Sequence, residues 1–93
     1  MKLEYTEHAE LKLKERRISK SEIETILKKP EAVLLDVETG YLVAVGNRVY
    51  RQGHRLLVIY SPGEIIKLIT VIDTSRTEII KTREKKGRWV KIK

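Results

Sequence analysis

The spacing of apolar residues changes once along this chain, from helical to alternating. Ala9 and Leu13 recur at a spacing of four, and Ile23, Ile26 and Leu27 follow at i, i+3 and i+4. Each set is a stripe on one side of a helix. Thr6 is placed as an N-cap with Glu7 in the first turn, so a first helix is predicted to run to about Arg17. Leu11 points away from the Ala9/Leu13 stripe and asks for a second cover or a partner. Ser19-Lys20-Ser21-Glu22 reads as a capping box, with the Ser19 hydroxyl capping and Glu22 reaching back. Pro30 ends the second helix and pushes Lys29 toward an extended conformation. A link of a residue or two makes the helices a tight pair.

From Ala32 the period is two. Strands are predicted over Ala32–Glu38, Tyr41–Val45, Arg48–Arg51, Arg55–Tyr60 and Ile65–Asp73, and Lys2–Tyr5 reads as a short strand or an extended lead-in. The breaks are turn chemistry: Thr39-Gly40, Gly46-Asn47, Gln52-Gly53 and Ser61-Pro62-Gly63. Leu56–Ile59 and Leu68–Ile72 are nearly continuous apolar runs and belong at the centre of a sheet, whereas Tyr41–Arg51 is mixed and belongs at an edge. Glu78 to Lys86 can form a further helix ended by Gly87. Trp89 to Ile92 alternates, as a final strand or an extended arm. The expected fold is α+β, with two N-terminal helices on one face of a four- to five-stranded antiparallel sheet and the other face free. Residues 1–75 form the core domain. Residues 76–93 form a basic C-terminal segment packed on it or extending from it.

Composition narrows the chemistry. The chain has 93 residues, 41% of them hydrophobic, which is one domain with one modest core. It has no Cys and two His, so disulfides, thiol chemistry and Cys-based zinc sites are excluded, and neither a metal nor a cofactor is expected. No apolar run reaches the roughly 20 residues of a bilayer span, and no signal peptide opens the chain. The expectation is a cytoplasmic protein away from membranes. Charged residues make up 35%, and Asn47 and Gln52 are the only amides, a balance that fits a thermophile. Residues 76–93 hold 8 Lys+Arg against 2 Asp+Glu, so nearly all of the net +7 lies there. Such an end attracts polyanions, or is simply a solvated tail.

His8, Lys12 and Arg16 stand at a spacing of four, within one quadrant of the first helix and beside its apolar stripe. An imidazole and two cations on one helix edge suit an anionic ligand such as phosphate.

The pieces His8-Ala9, Lys12-Leu13, Glu15-Arg16, Ile18-Ser19, Lys29-Pro30-Glu31, Arg55-Leu56-Leu57-Val58-Ile59-Tyr60 and Ile66 through Val71 resemble the domain-of-unknown-function 4258 family. The resemblance covers roughly residues 5–73 and leaves the basic tail from Arg76 outside. Lys12 stands where Arg is usual, and Arg17 where Gly is frequent. Through a relation of that family to RelE/BrnT-like toxins, the resemblance implies a RelE/BrnT-like fold. It also implies a metal-independent ribonuclease or RNA-targeting protein, acting on RNA or the ribosome and neutralised by an antitoxin protein.

Under that reading His8 is the acid/base, since an imidazole titrates in the useful range. Lys12, Arg16 and Arg55 then hold the scissile phosphate. The alternatives are a histidine bonded to a neighbouring strand, and cations spent on ion pairs. His54 completes an acid/base pair or is an exposed turn neighbour. Arg48 and Arg51 share a face only if the strand register is broken, since their spacing is odd. Arg51 and Tyr60 are candidate RNA contacts, as are Arg76, Arg83 and Arg88 in the basic segment. Trp89 stacks on a base or anchors the tail. The polar stretch Asp73-Thr74-Ser75-Arg76 ends the last long strand and orients a histidine or caps the next helix. Two other readings stay open: a non-catalytic nucleic-acid-binding module, and a protein-interaction domain such as a homodimer joined through edge strands.

Overall fold

Caps and one proline delimit the first helices of the structure, a computed structural model describing residues 2–93. After strand β1 (Lys2–Tyr5), the Thr6 Oγ1 accepts the Ala9 N–H at 3.0 Å and starts α1 (Glu7–Arg16). The same hydroxyl donates to the Ile69 carbonyl at 3.1 Å, so the cap also ties α1 to the sheet. Helix α1 closes as a Schellman motif: Ile18 N–H reaches Leu13 O at 2.9 Å and Arg17 N–H reaches Lys14 O at 3.3 Å. Arg17 sits at φ 54°, the left-handed position that glycine suits. Ser19 Oγ accepts the Glu22 N–H at 3.1 Å and starts α2 (Lys20–Lys28).

Five more strands and a third helix follow: β2 (Ala32–Asp36), β3 (Leu42–Asn47), β4 (Arg55–Ser61), β5 (Ile65–Thr74), α3 (Glu78–Lys85) and β6 (Trp89–Lys91). The strands make one six-stranded sheet in the order β1-β5-β4-β3-β2-β6. Every pairing is antiparallel except β1 with β5, which is parallel with Lys2 opposite Ile65 and Tyr5 opposite Leu68. The sheet is therefore mixed and six-stranded, not a four- to five-stranded antiparallel one. The two added strands are the edges, and each is too short to declare its pairing in sequence.

Nearly continuous apolar runs reflect burial on both faces. Leu56 and Val58 of β4 join Ala9, Leu13, Ile23 and Ile26 under α1 and α2. Leu57 packs on the opposite face with Leu34, Val43, Val45 and Trp89, where Ile79 and Ile80 of α3 also pack. That second face is covered rather than free. Strand β3 lies between β4 and β2 with Val43, Ala44 and Val45 buried, so it is central and not an edge. Gly46 belongs to β3 and not to a turn. A Cβ there would lie 2.7 Å from Ile26 Cγ1, so the glycine lets α2 pack directly on the strand. Leu68 and Val71, three apart, both face the helix pair because of a bulge. Ile59 pairs Thr70 and Tyr60 pairs Leu68, which leaves Ile69 without a partner on β4. No helix among the described residues is long and apolar enough to cross a membrane.

Candidate active site

Where β3 ends at Asn47, the next side chain turns inward. Arg48 is buried, and all five of its N–H directions are used. Nε and Nη2 donate to the two Glu22 oxygens, each at 3.3 Å, and Nη2 also donates to Arg17 O at 3.1 Å. Nη1 donates to Arg16 O at 3.3 Å and to Asp73 Oδ2 at 2.9 Å. Burial alone would weaken the charge on Arg48, but the bonded carboxylates of Glu22 and Asp73 outweigh it and raise its pKa. One guanidinium thus joins the end of α1, the first turn of α2 and the end of β5.

Asp73 carries this fixed charge outward. Its Oδ2 also accepts Arg51 Nη1 at 3.2 Å, and its Oδ1 lies 2.8 Å from His54 Nδ1. Burial pushes the Asp73 pKa up, but the bonds from His54 and Arg48 and their charges hold it below the ordinary value. An ionised carboxylate only accepts, so Nδ1 of His54 is the donor and Nε2 is the ring nitrogen left for another partner. The Asp73 side chain is enclosed, whereas His54 is a quarter exposed at 25% and Arg51 is open to solvent. Gly53 at φ 80°, with His54 N–H on Arg51 O at 3.0 Å, folds the 48–54 loop back over Asp73. The predicted strand over Arg48–Arg51 is this loop. Because it breaks the register, residues of odd spacing both reach one carboxylate.

The family model described as domain of unknown function (DUF4258) matches residues 5–83. The chain belongs to this family. No curated protein and no solved structure matches it. The DUF4258 match takes in α1, α2, the Arg48 hub, the His54–Asp73 pair and most of α3, so it extends into the basic segment expected to lie outside.

Within this DUF4258 domain the predicted site residues fall into three places. His8 and its ridge border β5: His8 Nε2 lies 3.0 Å from Thr70 Oγ1, Lys12 pairs with Glu15 at 3.5 Å on the surface, and the Arg16 side chain is exposed. Thr70 and Asp73 are three residues apart on one strand, about 10 Å. The ridge and the His54–Asp73 pair therefore both meet β5, with Thr70 and Asp73 on alternate faces of the strand. Arg55 does not join them. It pairs with Glu31 at 3.0 Å, and its buried Nε has no partner among the described residues.

The C-terminal residues lie elsewhere. Trp89 is buried, its Nε1 donates to Asp36 Oδ2 at 3.3 Å, and Arg83 covers its ring at 4.7 Å. It anchors β6 and presents no stacking surface. Arg88 is held by Asp36 at 3.4 Å and Glu38 at 3.3 Å. Arg83 and Arg88 line a cavity of about 420 Å³ beside α3, on the sheet face away from α1 and α2. Arg76 is exposed just beyond β5, its N–H on Thr74 Oγ1 at 2.9 Å. Tyr60 is half-buried in the core under the helix pair, and burial raises its phenol pKa, so it packs rather than stacks.

Sequence reasoning missed the Arg48 hub and half-read Asp73, which orients a histidine and does not cap α3. It also gave Glu22 to a capping box, where the side chain instead binds Arg48. The signal was present: Glu22 shares the α2 stripe with Ile23 and Ile26, and a carboxylate on a buried stripe needs a cation.

Proposed function

We propose that this domain cleaves RNA, with His54 rather than His8 as the principal acid/base. The supporting observation is the 2.8 Å bond from His54 Nδ1 to an enclosed, charge-held Asp73, which orients the ring of a quarter-exposed side chain and leaves Nε2 for a substrate. In this reading Nε2 removes the proton of a ribose 2′-hydroxyl. The O2′–phosphorus bond forms, the bond to the 5′-oxygen breaks, and His8 returns a proton to that oxygen. Arg51 and Arg16 stand as the exposed cations for the phosphate. The relation to RelE/BrnT-like toxins extends the reading to a cytoplasmic toxin, with the ribosome or free RNA as target and a protein antitoxin. That extension rests on the resemblance alone.

The test is cleavage of end-labelled RNA in EDTA by wild type, His54→Gln and His8→Ala. Wild type is expected to cut, and His54→Gln to lose about 10²-fold or more in rate while keeping its far-UV spectrum. Equal cutting by His54→Gln would overturn the assignment and return the acid/base to α1. RNA retained without cleavage, and released by salt, would make the domain a binding module.

A further inference from the structure

On the opposite side of Arg48 from the His54–Asp73 pair lies a cavity of about 170 Å³. Its lining combines Glu22 with the polar Ser19, Ser21, Thr25 and Asn47 and the apolar Ile26, Val49 and Tyr50. Tyr50 is 85% exposed and Val49 73% exposed, at the tip of the same loop that carries Arg51 and His54. Large apolar side chains that open gain nothing for the core, and here they stand over a hydroxyl- and amide-lined hollow. Glu22 is already paired with Arg48, so its carboxylate does not repel an anionic strand.

We infer that this cavity is a nucleobase subsite, selective for pyrimidines. The inference rests on the RNA reading above and names the base beside the phosphate that Arg51 and His54 would meet. A space of about 150 Å³ accommodates one benzene ring, so this open hollow takes up a single-ring base whole and leaves part of a purine outside it. Tyr50 offers the π-face on which bases stack. Asn47 offers a donor and an acceptor side by side, the pattern that reads the Watson–Crick edge of a base. The pocket and the acid/base pair share the Arg48 guanidinium, through Glu22 on one side and Asp73 on the other. Base recognition and phosphate chemistry are therefore held in one rigid frame.

The experiment is fluorescence anisotropy with labelled oligouridine, oligocytidine and oligoadenosine six-mers, in a His54→Gln background so that no strand is cut. Oligouridine and oligocytidine are expected to bind several-fold tighter than oligoadenosine. Adding Tyr50→Ala should weaken pyrimidine binding about tenfold and erase the preference. Tyr50→Phe should retain both, and Asn47→Ala should narrow the preference. Because Tyr50 is open to solvent, its variants should keep the parent melting temperature. Binding of all three strands alike, indifferent to Tyr50, would overturn the subsite and leave the RNA reading standing. A preference for adenosine would overturn the pyrimidine assignment. No binding of any strand, by this background or by wild type, would overturn both.

Discussion

Asp36 and Asp73 are both enclosed aspartates held in the ionised form, yet they serve different ends of the molecule. Around Asp36 the donors are structural. Oδ1 takes the backbone N–H groups of Glu38 and Thr39 at 3.0 and 3.3 Å, and Oδ2 takes the Trp89 indole and Arg88. These bonds turn β2 into β3 and lock β6 to the edge. Around Asp73 one donor, Arg48, is buried, while the other two, His54 and Arg51, reach solvent. A buried carboxylate bonded to backbone amides, an indole and a guanidinium is a fastening. One that passes its charge to an exposed imidazole can support chemistry. Neither burial nor the exposure of the partners separates the two, since Arg88 on Asp36 is more exposed than His54 on Asp73; the chemistry of the partner does, because only Asp73 holds an imidazole.

The strongest way to break the comparison is Arg48→Leu. It strands the Glu22 and Asp73 carboxylates without their shared cation, and breaking a buried pair costs about 3–5 kcal/mol. Urea unfolding should show a loss of that size, with RNA cleavage abolished. A loss below about 1 kcal/mol, typical of a solvated pair, would show that the hub does not hold the end of the sheet together. Asp36→Ala should come next, at about 1–3 kcal/mol for the donors it leaves unpaired. Cleavage per folded molecule should be unchanged, and a parallel fall in activity would mean that the two ends are coupled.

Acid should weaken both ends together. Burial raises the pKa of each aspartate, but its bonded donors win and set each folded value below the ordinary 3.8. Below 3.8 the unfolded chain binds protons more readily than the folded one. The stabilisation is therefore complete above that value and drains away as pH falls through the folded values. Urea midpoints should fall steeply below about pH 4, and Asp36→Asn and Asp73→Asn should each flatten the fall. A midpoint independent of pH across that range would contradict the ionised assignment. The smallest expected effect is a gain. Arg17→Gly removes the left-handed strain while keeping the carbonyl that Arg48 uses, for up to about 1 kcal/mol. The melting temperature should rise by a few degrees, and a drop would mean that the Arg17 side chain contributes more than its backbone costs.

Local chemistry was legible in the chain. The Thr6 and Ser19 caps, the α2 stripe, the stop at Pro30 and the strand runs of β4 and β5 all depend on residues a few positions apart. The placing of His8, Lys12 and Arg16 on one helix and the family membership were legible for the same reason. The apolar runs of Leu56–Ile59 and Leu68–Ile72 announced strands inside the sheet, because only a strand covered on both faces tolerates them.

What the tertiary structure alone decided involves partners far apart in sequence. Lys2–Tyr5 had to meet Ile65–Leu68 before its direction in the sheet existed. Trp89 had to reach Asp36 before its indole could serve as an anchor. Arg48 looked like one more strand cation until Glu22, Asp73 and two carbonyls surrounded it. The sequence by itself determined the elements and the inventory of charges, since capping and periodicity act over one or two turns. Which charges are buried, paired or left facing solvent follows from long-range register and packing, which no local pattern encodes.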